Sequence, residues 1–255
     1  MHQSLYKIAL VSLMSMSSAS VLAVEESEEK AVGKFSGNLA LVNKYIYRGS
    51  EENDDISLQV GLEYAHNSGL VVGYWGSNLN YNPANDDKNS GIENDLYVAY
   101  QKQVNEDFGF RSQLTAYIYS NAGSVYQDND KRTTNGYELI NIFIYKDLAL
   151  GASVMLADAS YANAGDVYLS AAYSYALPYD ISLNSSIGFN FYNDRRDDSI
   201  VTTTKDSAFT EARLGISRDL GETGLQASFD YVWGGKTRTN ERYDDHAVFG
   251  ITYNF

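Results

Sequence analysis

Few residues in this 255-residue chain have the types and spacing that chemistry requires. Glu93 and Asp95 are two positions apart, so on a β-strand both carboxylates would lie on one face, where they could act as an acid–base pair or attract cations. A nucleophile would need a neighbouring base, and apart from His2 the only histidines are His66 and His246. The chain contains no phosphate loop, dinucleotide fingerprint or His-rich metal motif. We therefore expect a protein that is not an enzyme and holds no cofactor and no metal.

The composition narrows the function classes further. With no Cys, the chain cannot form a disulfide framework, a thiolate metal site or a Cys nucleophile. A formal net charge of −14 and a pI near 4.5 argue against a nucleic-acid partner, which would need Lys and Arg to displace counterions. The mean hydropathy of −0.34 taken alone suggests a soluble protein. The arrangement of the residues along the chain indicates something else.

The first residues have the features of an export signal. A short start that ends at the positively charged Lys7 precedes the apolar, Ser-rich stretch from Ile8 to Ala23, and the last of these residues are small, as signal peptidase requires. We expect residues 1–23 to be a signal peptide rather than a buried helix. Residues 24–33 would then form an acidic periplasmic leader.

Apolar and polar residues alternate along the rest of the chain, which predicts β-strands with two chemically different faces. Most of these segments have the length of a tilted strand that crosses a membrane. The segment 137–145 carries large apolar residues on both faces, so its outward face stays open. Twelve strands are predicted, at 34–47, 56–65, 70–81, 92–100, 108–119, 137–145, 148–156, 167–175, 181–191, 208–217, 225–233 and 247–255.

The connections between these segments alternate between short turns and long polar loops, as in outer-membrane barrels with short periplasmic turns and long external loops. We therefore predict an all-β fold, an antiparallel transmembrane β-barrel of about twelve strands in an up-and-down meander over residues 34–255. It would lie in the outer membrane of a Gram-negative bacterium with both termini in the periplasm. Aromatic residues near the strand ends would form girdles at the two membrane interfaces; they include Tyr45, Tyr47, Tyr100, Tyr117, Tyr119, Tyr145, Tyr173, Tyr175, Trp233 and Tyr253.

Three stretches of the sequence resemble a known family. The segments 43–50 (NKYIYRGS), 68–78 (SGLVVGYWGSN) and 93–100 (ENDLYVAY) are similar to the TorF family of proteobacterial porins, also catalogued as Gcw_chp. Asn43 and Lys44 depart from the family pattern, which has Ser and Asp there. The resemblance implies an outer-membrane barrel that acts as a porin. The terminal Phe255 likewise resembles the final aromatic residue that bacterial barrels present to their assembly machinery.

If the apolar faces contact lipid, the opposite faces line the interior. A carboxylate-rich interior favours cations, so we predict a narrow channel for passive diffusion of small polar solutes or ions with a weak cation preference. Alternatively, the same charges form a salt-bridge network inside a closed barrel, whose external loops serve a structural, adhesive or envelope-integrity role. A secreted sugar-binding β-domain is a third possibility. The candidate lining residues are Glu63, Glu93, Asp95, Arg111, Glu211, Arg213 and Asp230.

Other partners follow from this placement. The outer surface would contact outer-membrane lipid and lipopolysaccharide, while the oligomeric state stays open. Arg48 would either reach into the channel mouth or a lipid phosphate, or simply end the first strand with its guanidinium bonded to loop carbonyls, and we favour the second interpretation. The acidic run 51–55, with the pairs 86–87 and 244–245, is expected to form a solvated surface rather than a Ca²⁺ or Mg²⁺ site, since none matches a dedicated calcium loop.

Overall fold

The computed structural model describes residues 32–83, 85, 88–120, 123–127, 130–194 and 199–255. The expected signal peptide and all but the last two residues of the expected leader lie outside these ranges. Within these described ranges, the structure contains no helix that is long and apolar enough to cross a membrane.

The described chain is built from sixteen β-strands. Twelve of them close into one antiparallel barrel, and the other four form two hairpins, β2–β3 and β8–β9. The strands are β1 (Gly33–Val42), β2 (Tyr45–Tyr47), β3 (Ser50–Asn53), β4 (Ser57–His66), β5 (Leu70–Leu79), β6 (Gly91–Gln103), β7 (Phe108–Tyr119), β8 (Ser124–Gln127), β9 (Asp130–Thr133), β10 (Gly136–Tyr145), β11 (Leu148–Met155), β12 (Val167–Leu177), β13 (Ile181–Phe191), β14 (Ser207–Asp219), β15 (Leu225–Gly234) and β16 (His246–Asn254).

Closure occurs between the first and the last barrel strand. β1 pairs with β16 in a register that runs from Asn38 opposite Asn254 to Val42 opposite Gly250. The Gly37 amide donates to the Phe255 carbonyl at 2.9 Å, and the Phe255 amide donates back at 3.0 Å. No barrel strand is therefore left as an open edge. The predicted twelve-stranded antiparallel barrel is confirmed.

The connections alternate as the sequence predicted. One end of the barrel, here the short-turn end, carries brief links such as 67–69 and 146–147, and both β1 and β16 have their outer termini there. The opposite long-loop end carries the six long connections. Its loops pack on one another: the buried Arg132 guanidinium donates to the Ala162 carbonyl and to Ser199 Oγ, and Arg238 pairs with Asp166 at 2.9 Å. The long loops are thus held together by buried charges. Of the acidic pairs expected at a solvated surface, Asp244 and Asp245 are exposed, and Asp86 and Asp87 lie outside the described residues.

Alternation along each strand separates an apolar outer face from a polar inner face. On β6, Leu96 is half-exposed on the outside, whereas Asp95 is 1% exposed on the inside. The open question about 137–145 is resolved by β10, where Phe143 and Tyr145 point outward. Ile140 and Ile142 point inward, where they pack with Ala149 and Ala172.

The first predicted strand and the predicted girdles need correction. Residues 34–47 do not form one strand, because β1 ends at Val42 and the chain then turns inward. The Asn43 side chain fixes this point, since its amide donates to the Ala247 carbonyl and its Oδ1 accepts from the Phe249 amide at 2.7 Å. Four of the expected girdle residues, namely Tyr45, Tyr47, Tyr117 and Tyr119, lie inside the barrel. Others of the expected residues are exposed on the outside, namely Tyr100, Tyr145, Tyr173, Tyr175, Trp233 and Tyr253.

Gly73 allows a stability test of the inner face. It lies opposite Tyr97 on the neighbouring strand, and a Cβ at this glycine would overlap the tyrosine ring, whose hydroxyl donates to Glu63 at 3.1 Å. Gly73→Val should therefore lower the free energy of unfolding by about 1–3 kcal/mol through overpacking. Urea denaturation of protein refolded in micelles measures this effect. Adding Tyr97→Ala should recover part of the loss, and an unchanged stability in Gly73→Val would contradict the packing described.

Candidate functional site

A segment that folds into the barrel dominates its interior. Residues 43–56, here called the inserted hairpin, contain β2 and β3 and connect β1 to β4. Its two-residue turn consists of Arg48 and Gly49, with φ angles of 50° and 88°. Positive φ at both positions is the requirement of a type I′ hairpin turn, and the second position suits glycine. Arg48 pays about 1 kcal/mol for this conformation, so a contact at the tip must offset it.

The inserted hairpin crosses the barrel to the opposite wall. In the ring of twelve strands, β11 lies six places from β1 in either direction. The tip residue Arg48 contacts three adjacent strands centred there, through Glu138 on β10, Ser153 on β11 and Tyr168 on β12. The hairpin therefore spans the whole interior rather than lining one side.

The tip is held by a bidentate ion pair. Arg48 Nη1 donates to Glu138 Oε1 at 2.8 Å, and Nη2 donates to Oε2 at 2.9 Å. The Arg48 guanidinium also lies 4.2 Å from the centre of the Tyr168 ring. Tyr117 donates a further hydrogen bond to Glu138 Oε2 at 2.6 Å. Because Glu138 is 1% exposed, this pair is shielded from water and strong.

The arms of the hairpin pack against the wall on the near side. The Tyr45 ring lies 5.4 Å from the Trp75 ring on β5, and both side chains are almost fully buried. Ile46 packs with Val232 and Val248 on the other side. The hairpin is thus fixed at its base by apolar contacts and at its tip by charge.

Tyrosine hydroxyls satisfy most of the carboxylates inside the barrel. Burial raises the pKa of the Glu52 carboxyl in the hairpin, and the hydrogen bond from Tyr81 opposes that shift. Four inner carboxylates on the barrel strands have the same kind of partner. The pairs are Tyr97 with Glu63, Tyr119 with Glu93, Tyr117 with Glu138 and Tyr168 with Glu211.

Asp95 departs from this pattern. Both of its carboxylate oxygens are buried and accept no hydrogen bond. Its partners across the two adjacent strands are Trp75 and Tyr117, whose side chains point into the same interior. It lies within electrostatic range of Glu93 and Glu138. The cost of burying this carboxyl group is therefore not offset by any hydrogen bond to its oxygens.

The structure places all seven candidate lining residues on the inner face. Two ion pairs form among them: Arg111 with Glu63 at 2.9 Å, and Arg213 with Glu211 at 3.5 Å. Asp230 interacts electrostatically with Arg213. Glu93, Asp95 and Glu211 lie toward the long-loop end, whereas Glu63 and Arg111 lie toward the short-turn end. That these residues line a conducting channel stays a prediction.

The favoured expectation for Arg48 is wrong, because its guanidinium pairs with Glu138 instead of loop carbonyls. The acidic run 51–55 is also not a simple solvated loop. Glu51 pairs with Lys44, and Asn53 is buried and donates to the Asn78 carbonyl. Both differences follow from the inward course of the hairpin. Within the described ranges, no cluster of three or more His, Asp or Glu side chains is arranged to hold a metal ion.

Sequence reasoning missed Glu138, Glu52 and Trp75 as parts of this site. Glu138 is on β10, whose outward face could not be assigned from the sequence. Ile140 and Ile142 follow Glu138 on the same face, so this face did not look polar. Glu52 was placed in an external loop. A weak signal was present, since glycine at the second position of a two-residue turn, as in Arg48-Gly49, suits a tight hairpin.

The barrel has the fold of the porin class. The KdgM porin matches with a TM-score of 0.51 at 8% identity, over 86% of this chain and 99% of that one. An outer-membrane channel from Pseudomonas putida F1 matches with a TM-score of 0.51 at 12% identity, over 91% of this chain and 99% of that one. No curated protein sequence matches this chain.

The chain belongs to the Gcw_chp family, described as "Bacterial protein of unknown function (Gcw_chp)", whose model matches residues 26–253. The three stretches that carry the sequence resemblance converge in space. Residues 43–50 form most of the inserted hairpin, and 68–78 and 93–100 supply the adjacent wall on β5 and β6. The family pattern is therefore concentrated in the hairpin and in the wall beneath it.

The ion pair at the hairpin tip predicts a large effect on stability. Arg48→Ala should lower the free energy of unfolding by about 3 kcal/mol, because it leaves Glu138 buried without its cation. Lys44→Ala, which breaks the more exposed pair with Glu51, is the matched control and should cost less than about 1 kcal/mol. Chemical denaturation in micelles compares the two variants. Equal losses would mean that the tip is not held as described.

Proposed function

We propose that this protein is a channel through which small polar solutes or ions diffuse passively, with a weak preference for cations. The observation that carries the proposal is a charged barrel interior narrowed by the inserted hairpin. The seven lining residues comprise five carboxylates and two guanidinium groups. Glu138 and Arg48 add one charge of each sign, so the interior stays net negative. A narrow passage with an excess of carboxylates favours cations.

The proposed location is the outer membrane of a Gram-negative bacterium. The exposed apolar outer face of the barrel supports it, because such a surface needs lipid, and it argues against a soluble sugar-binding domain. Lipopolysaccharide and lipid would cover this face. We place the short-turn end and both termini in the periplasm, where Phe255 would meet the assembly machinery. The three motif stretches support assignment to the TorF group within the family.

Nothing in this role requires catalysis. The described histidines, His66 and His246, lie at opposite ends of the barrel, where His66 bonds Ser68 and His246 pairs with Glu51. The contact between His66 and Ser68 is local to an exposed turn, where the Ser68 amide donates to the same Nδ1 at 3.0 Å. The paired carboxylates Glu93 and Asp95 are better explained as channel lining. We therefore propose a protein that is not an enzyme.

A closed barrel is the second candidate, and one observation favours it. Ile140 and Ile142 pack with Ala149 and Ala172 inside the wall, toward the short-turn end. Together with the hairpin, this apolar cluster occupies space inside the barrel that an open channel would leave to water. A barrel closed in this way would act through its long loops, in a structural, adhesive or envelope-integrity role.

Single-channel recording in planar bilayers distinguishes the two candidates. The channel predicts discrete conductance steps and a reversal potential that favours cations in a salt gradient. Glu93→Gln and Asp95→Asn should each shift the reversal potential toward zero, because each removes a negative charge from the passage. Asp107→Asn, the same change in an exposed turn, should leave it unaltered.

Folding must be established separately. A folded barrel resists SDS, so unheated and boiled samples of each variant should migrate differently in gels. Absence of conductance from protein that passes this test and inserts into the bilayer would reject the channel and leave the closed barrel.

A further inference from the structure

We propose that the interior of this barrel binds a primary ammonium group, with the Asp95 carboxylate as its anion and the rings of Trp75 and Tyr117 as its walls. The inference rests on the proposed function and names the class of cation that the channel would select. It starts from Asp95, a carboxyl group of the described strands whose two oxygens are both buried and accept no hydrogen bond.

The Asp95 carboxyl group is buried and has no hydrogen-bond partner. The side chain is 1% exposed, and neither Oδ1 nor Oδ2 accepts a hydrogen bond. Removing a carboxylate from water costs several kcal/mol unless a partner compensates it. A buried carboxyl group in this state either stays protonated or ionises against a positively charged partner that donates hydrogen bonds.

No side chain of the described interior supplies that partner. The hairpin cation Arg48 donates from both of its terminal nitrogens to Glu138. Glu93 is a second carboxyl group on the same strand face as Asp95, and its own hydrogen bond comes from a neutral tyrosine. The surroundings of Asp95 are thus acidic, and a carboxylate-rich passage favours cations.

The neighbouring side chains favour an ammonium ion over a metal ion. A divalent metal takes about six or more oxygen ligands, and within the described ranges no three acidic or His side chains are placed to hold one. Beside Asp95 stand Trp75 and Tyr117, with Tyr45 packed on Trp75. Aromatic faces attract ammonium groups. A primary ammonium also has three N–H donors for the two carboxylate oxygens.

The inserted hairpin covers this place. Tyr45 closes over Trp75, and Tyr47 bonds Tyr117 hydroxyl to hydroxyl at 3.2 Å. A cation reaches Asp95 only when these hairpin side chains move aside. Binding of a cation at Asp95 would therefore require movement of the inserted hairpin.

Isothermal titration calorimetry of the full mature chain refolded in micelles tests the inference directly. The probes are n-butylammonium, which donates hydrogen bonds, and tetramethylammonium, which has the same charge and no N–H group. Butylammonium should bind at least about tenfold more tightly than tetramethylammonium, the difference expected when hydrogen bonds to a buried carboxylate are lost. Asp95→Asn should weaken butylammonium binding by about tenfold or more, whereas Asp107→Asn should leave it unchanged.

Three results would overturn the inference: no heat with butylammonium, equal affinity for the two probes, or full affinity in Asp95→Asn. The comparison of probes uses the unaltered protein, so it stands even if a variant fails to fold. Conductance in KCl, recorded on the same preparation, tests the channel independently. A conducting protein that does not distinguish the probes would keep the proposed function and lose the ammonium site.

Discussion

The bidentate ion pair between Arg48 and Glu138 is the contact on which the interior of this barrel depends. A hairpin that enters a barrel loses contact with water and must recover its hydrogen bonds and charge partners from the opposite wall. Arg48 achieves this from a turn position with a φ of 50°, which is unfavourable for a residue with a side chain. The wall strands opposite β1 supply a carboxylate, a hydroxyl and an aromatic ring for a single guanidinium. The interior of the barrel is consequently crossed by one loop held at both ends.

Tyrosine, which occurs 22 times in the sequence, has two functions in this molecule. On the outside, exposed rings such as Tyr173 and Tyr175 suit a membrane interface. On the inside, hydroxyls such as those of Tyr117 and Tyr119 donate to buried carboxylates. A neutral donor gives a buried carboxyl group a hydrogen-bond partner in a confined space without a cation for every acid. This explains how an interior with few basic residues can hold so many acids, and why Asp95, which lacks such a donor, stands apart.

Almost every barrel strand could be predicted from the sequence. Most strands have an apolar outer face and a polar inner face, and this difference produces an alternation of apolar and polar residues along the chain. The prediction failed where that difference disappears. β10 carries Ile140 and Ile142 inward and Phe143 outward, so its pattern could not place Glu138. The inserted hairpin was predicted as the end of a strand and an external loop, since an acidic run such as 51–55 ordinarily faces water. Whether a long loop turns outward or inward depends on its contacts with strands that are distant in sequence. The pattern of residues within the loop does not indicate these contacts.

The central claim is that residues 43–56 cross the interior and narrow it, and shortening that segment tests the claim most directly. Val42 and Ser57 are partners in the register of β1 and β4, so an Asn-Gly turn can replace residues 43–56 and join the two strands directly. The measurement is single-channel conductance of this variant beside the unaltered protein, both shown to be folded by heat-modifiable migration. The account predicts a conductance several-fold larger in the shortened variant. An unchanged conductance from folded, inserted protein would contradict it.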